Sequence, residues 1–115
     1  MLPGNKNPDK YFVICAHFDL ISESPEKAAP RADDNGGGIA ALLELVRIIK
    51  NYDMSNTIRI VFFSNKERGY HGSRSYVKHL KSLSEYNIAG IIVDTIGYRN
   101  CNKTWILRLF QNMSG

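Results

Sequence analysis

Four places in the 115-residue chain set metal-binding side chains where they can act together. They are His17-x-Asp19, the pair Asp33-Asp34, Glu67 behind Asn65-Lys66, and Asp94. One imidazole and several carboxylates form a donor set that borderline-soft zinc accepts readily. Taken singly, each position has an ordinary explanation. Acidic residues are common in loops and helix caps, and a lone histidine at a strand end is seldom a ligand. Convergence on one place is what would turn them into a site.

The hydrophobic pattern supplies a scaffold for that convergence. Residues 1–10 are polar, with two prolines and a glycine, and read as a loop. Tyr11 to Ala16 is apolar and partly β-branched, as a buried strand requires. Residues 17–34 read as a long loop. Asn35 to Lys50 has helical spacing, with Ile39, Leu42, Leu43, Val46 and Ile49 on one face, Asp34 or Asn35 as N-cap, and Arg47 and Lys50 at the negative end of the dipole. Thr57 to Ser64 predicts a second strand, and His71 to Leu83 a second helix through Tyr76, Val77, Leu80 and Leu83. Ile88 to Val93 predicts a third strand, with Thr104 to Phe110 as one more. Alternating strands and helices imply an α/β fold with a parallel sheet and right-handed crossovers. Such sheets bind ligands beyond the carboxyl ends of their strands. His17, Glu67 and Asp94 each follow a strand, and Asp33-Asp34 precedes the first helix, so all fall on the same rim.

Composition narrows the function further. With 43% hydrophobic residues the chain fits one small domain, 1–115. There is no apolar run of about 18 residues, so no membrane span is expected. The N-terminus lacks the basic start and apolar stretch of a signal peptide, so a complete chain is expected in the cytoplasm, whereas a fragment is compatible with a secreted parent. The net charge of +4 is scattered, with no basic block interleaved with aromatics, which argues against nucleic-acid binding. Cys15 and Cys101 cannot build a disulfide framework, and Cys15 sits in an apolar run as a small buried hydrophobe would. Gly36-Gly37-Gly38 at a helix start invites comparison with nucleotide-binding loops. These glycines do not directly follow a strand, lack the GxGxxG spacing and stand beside Asp33-Asp34, which would repel phosphate. A glycine run there instead suits a first turn that backbone or ligand must approach closely.

His17-Phe18-Asp19, Ala32-Asp33-Asp34-Asn35, Glu67-Arg68-Gly69 with Gly72-Ser73, and Val93-Asp94-Thr95-Ile96-Gly97-Tyr98 occur in that order. The ordered set resembles the co-catalytic zinc aminopeptidases, whose relatives include glutamate carboxypeptidases, glutaminyl cyclases and several metal-free proteins. The resemblance runs from about Tyr11 to Tyr98 and leaves 99–115 as a divergent C-terminal segment. It implies a three-layer α/β fold, a mostly parallel sheet with helices on both faces, in an incomplete version. It also implies one or two zinc ions, with His17 on one, Asp33 bridging both, Glu67 in the first ion's set and Asp94 on the other side. Asp19 would orient the catalytic site from behind His17. The implied reaction is hydrolysis of an N-terminal peptide bond by a water that zinc activates, with a peptide or amino-acid derivative as substrate.

Three positions depart from the family pattern. Lys66 stands where the family has its general base, a glutamate. At its ordinary pKa of about 10.4 a lysine is protonated at neutral pH and cannot accept a proton from water. No histidine follows Asp94, where the family carries a late ligand; His71 and His79 lie in the second helix and read as helix-start and surface residues. Arg31 replaces the usual glycine before Ala32-Asp33-Asp34. The expectation is therefore a truncated or diverged aminopeptidase domain. The alternative is an inactive, metal-free homologue that binds protein, with exposed sheet edges offering a route to self-association.

Overall fold

The computed structural model of the chain describes residues 1–19, 32–64, 68–85, 89–94, 96 and 108–111, with 32–34 and 108–111 as backbone only. Its elements run β1 (Asn7–His17), α1 (Ala32–Ile49), β2 (Asn56–Phe63), α2 (His71–Ser82), β3 (Ala89–Ile92) and β4 (Arg108–Gln111). The sheet has the order β2-β1-β3-β4. β1 pairs in parallel with β2 and β3, and β4 lies antiparallel to β3.

β2 and β3 therefore flank β1 on opposite sides. Right-handed crossovers to opposite sides place their helices on opposite faces, and the core divides accordingly. Ile14, Ala16 and Ile58 pack with Leu42 of α1. Tyr11, Val13 and Cys15 pack with Leu80 of α2, joined by Tyr76, whose ring meets Phe63 edge-on at 5.6 Å. Successive residues of β1 thus serve alternate layers, and Tyr11 through His17 are buried apart from a half-buried Phe12. This is the α/β sheet with helices on both faces that the sequence implies.

Two expectations need correction. The N-terminal ten residues are not simply a loop. Asn7–Lys10 extend β1, and Leu2 exchanges backbone hydrogen bonds of 2.8 Å with Ile58 on the side of β2 away from β1. Backbone pairing needs no apolar side chain, so polarity concealed it. The buried face of α1 is also turned from the expected one. Leu43 is 58% exposed, while Leu45 joins Ile39, Leu42 and Ile49 against the sheet. Adjacent helical residues point about 100° apart, so Leu42 and Leu43 cannot both face a flat sheet.

α2 begins close to the end of β2. Gly72 lies so near Ser64 that a Cβ there would meet its carbonyl oxygen at 2.5 Å, so only glycine lets the helix start at this depth. Among the described residues, no helix is long and apolar enough to cross a membrane.

Candidate metal centre

The reversal of strand order around β1 opens a crevice at the carboxyl ends of β1 and β3, the place where open α/β sheets bind ligands. Register decides what faces across it. β1 and β3 pair from Phe12↔Ala89 to Cys15↔Ile92, and Val93 N–H continues the pairing by donating to Cys15 O at 2.8 Å. Two residues further on, the same offset brings Asp94 level with His17.

Their side chains meet there. His17 Nε2 lies 3.3 Å from Asp94 Oδ1, and His17 Nδ1 lies 3.5 Å from Asp19 Oδ1. The second distance is within ion-pair range but longer than the ~2.7–3.2 Å of an ordinary hydrogen bond. The His17 side chain is only 5% exposed, against 19% for Asp19 and 36% for Asp94. A neutral imidazole offers one N–H and one lone pair. With a carboxylate at each nitrogen, one of them must face the lone pair unless a second proton or a cation intervenes. Two donors each about 2.05 Å from a tetrahedral zinc ion stand about 3.3 Å apart. The His17–Asp94 pair therefore fits a shared cation in donor type and in spacing.

A third segment reaches the same rim. Asn35, 2% exposed, donates from Nδ2 to His17 O at 3.2 Å and to Val93 O at 3.0 Å. Its dihedrals (φ −156°, ψ 18°) interrupt α1, so the turn that carries Asp33 and Asp34 is set at an angle to the rest of the helix. Asn35 was expected only as an N-cap. Its place directly after Asp33-Asp34 and before three glycines was the available signal that it does more.

The structure thus brings together His17, Asp19 and Asp94. The backbone of Asp33 begins α1, while its side chain, with Glu67 and Lys66, lies outside the described residues. Among the described residues, no three His, Cys, Asp or Glu side chains form a metal-holding group. His71, at the start of α2, and His79 are exposed. Cys15, two residues before His17, is buried among apolar groups that push its thiol up to about 11, so it is no thiolate donor at neutral pH.

The sequence matches peptidase family M28 over residues 1–113, and the chain belongs to that family. A probable zinc metalloprotease of Pyrenophora tritici-repentis is 32% identical over 99 residues, covering 84% of this chain and 23% of the relative. Aminopeptidase YwaD of Bacillus subtilis is 39% identical over 75 residues, 65% of this chain and 15% of the relative. A probable leucine aminopeptidase of Arthroderma otae is 31% identical over 105 residues, 85% and 29% respectively. The chain thus spans less than a third of the length of these relatives.

Proposed function

We propose that the chain carries a zinc-dependent aminopeptidase-type centre with His17, Asp33, Glu67 and Asp94 as ligands and peptides as substrate. The observation that carries this reading is the 3.3 Å approach of His17 to Asp94 in a chain of the M28 peptidase family. That spacing favours one ion held by His17 and Asp94 together, a different division from the one the resemblance implied, and Asp33 and Glu67 would supply the remaining carboxylates. When bound, zinc supplies the Lewis acidity that polarises a scissile carbonyl and lowers the pKa of water. His17 contributes Nε2, and Asp19 behind Nδ1 fixes the tautomer that leaves Nε2 free to donate its lone pair. Lys66 in place of a carboxylate base limits proton transfer, so hydrolysis by this chain is weak.

Zinc content after exhaustive dialysis tests the centre, with at least one ion per chain expected and a value near zero overturning it. Hydrolysis of aminoacyl anilides should be slow and should rise in Lys66→Glu. Lys66 is also the observation favouring a second reading, a metal-free homologue that binds protein. On that reading the melting temperature is indifferent to EDTA; a sharp fall on chelation supports the zinc centre instead, because metal binding adds to folding stability.

A further inference from the structure

We infer that Asn35 is the positioning residue of this centre: one buried amide sets the spacing of the strand ends that carry His17 and Asp94, and ties to them the turn that carries Asp33. The inference rests on the reading of His17 and Asp94 as ligands. An amide NH₂ has two hydrogens in a fixed fork, and here they go to two different strands. One acceptor is the carbonyl of His17 itself, at 3.2 Å, and the other is the carbonyl of Val93, the residue before Asp94, at 3.0 Å. Paired residues of β1 and β3 stop at Cys15 and Ile92, so Asn35 takes over where the ladder ends. It is also the point at which α1 changes direction, two residues after Asp33. A displacement at Asn35 therefore moves three of the four ligand-bearing segments relative to one another.

Gly38 belongs to the same device. A Cβ at this buried position would overlap Asn35 Oδ1 and lie 2.8 Å from its Cγ, whereas one at Gly36 would meet nothing within 4 Å. The glycine at 38 is required by the asparagine side chain. Through Gly38, part of the run that resembled a phosphate loop makes room for the clamp.

Cobalt(II) alone is the probe, read by its affinity and its d–d spectrum. Asn35→Ala should weaken cobalt uptake about tenfold or more, in line with other groups that orient ligands, and alter the spectrum while far-ultraviolet circular dichroism is retained. Gly38→Ala should do the same. Asn35→Ala/Gly38→Ala should be no worse than Asn35→Ala, because the methyl group then enters vacated space. In the metal-free protein at fixed pH, Asn35→Ala should move the ring ¹⁵N signals of His17 toward those seen in Asp94→Asn. Unchanged affinity and spectrum in both single variants, additive losses in the double variant, or ring signals that coincide with wild type would each overturn the inference. A wild-type chain that takes up no cobalt overturns the metal reading instead, and the metal-free ring signals still decide the role of Asn35. If Asn35→Ala does not fold, Asn35→Ser and Gly38→Ala carry the same comparison.

Discussion

The two ends of β1 bury polar groups by opposite rules. At the amino end, Tyr11 is 2% exposed, the Arg59 guanidinium lies 3.8 Å from its ring centroid, and Arg59 Nη1 meets Glu85 Oε2 at 2.7 Å. Burial pushes the Tyr11 phenol up, against the opposing pull of Arg59. Here the cation is a side chain: the guanidinium serves the ring face and the carboxylate at once, as a cation–π contact and an ion pair. At the carboxyl end, two carboxylates approach a single imidazole from both sides. Among the described residues, the acceptors here outnumber the side-chain donor they face, and no lysine or arginine stands between them as Arg59 does at the other end. The first cluster pairs opposite charges against the core, whereas the second sets two carboxylates around one imidazole at the rim.

This difference predicts separate responses to substitution. Tyr11→Ala removes a fully buried aromatic shared by the core and by Arg59, and should cost about 3–5 kcal/mol. Against the ~5–15 kcal/mol that holds domains together, that is a large fraction. Urea denaturation should show the loss with or without zinc, and molecules still folded should bind zinc as wild type does. A Tyr11→Ala variant of full stability but lowered zinc affinity would erase the distinction between the two ends.

Asp19→Asn tests the other side of it. Loss of the carboxylate behind Nδ1 should lower zinc affinity by about 10–100-fold, with the urea midpoint of the metal-free protein close to wild type. Titration against a chelator measures the first quantity. An unaltered affinity would remove Asp19 from the centre.

Much of this arrangement could be read from residue order. Tyr11 to Ala16, Thr57 to Ser64 and Ile88 to Val93 alternate with helical segments, which is enough for a parallel sheet and for the rim on which His17 and Asp94 meet. Register was not legible, because apolar runs buried on both faces pair equally well one residue out of step; only the structure shows the offset that makes His17 and Asp94 neighbours. Asn35 escaped for a related reason. Its partners are two backbone carbonyls far away in sequence, and a backbone carbonyl has no residue type to recognise. The Arg59–Glu85 pair was hidden in the same way, in a strand and a turn whose proximity depends on α2 folding back.

Between the two ends lies Cys15, and its chemistry reports whether the middle of β1 stays closed. Burial raises its thiol to about 11, whereas an unfolded cysteine titrates near ~8.5. The shift favours the folded state below the unfolded pKa, and that contribution is lost as pH rises toward the folded value. In a Cys101→Ser background at pH 8, a disulfide reagent should therefore modify Cys15 more than about tenfold faster in urea than in buffer. Equal rates would mean that β1 opens locally and that its two ends are not rigidly joined.

The smallest effect is expected on the outer surface of α1. Leu43 is 58% exposed and Leu42 only 2%, although both were expected to face the core. Lysine and leucine have similar helix propensities, so Leu43→Lys should change stability by no more than about 0.5 kcal/mol, while Leu42→Ala should cost about 2–5 kcal/mol. Zinc affinity should be unchanged in Leu43→Lys, because the helix meets the rim through Asn35, two turns away. A loss above ~1 kcal/mol in Leu43→Lys would show instead that this face is covered in solution. The stabilising contacts of α1 would then extend beyond the sheet.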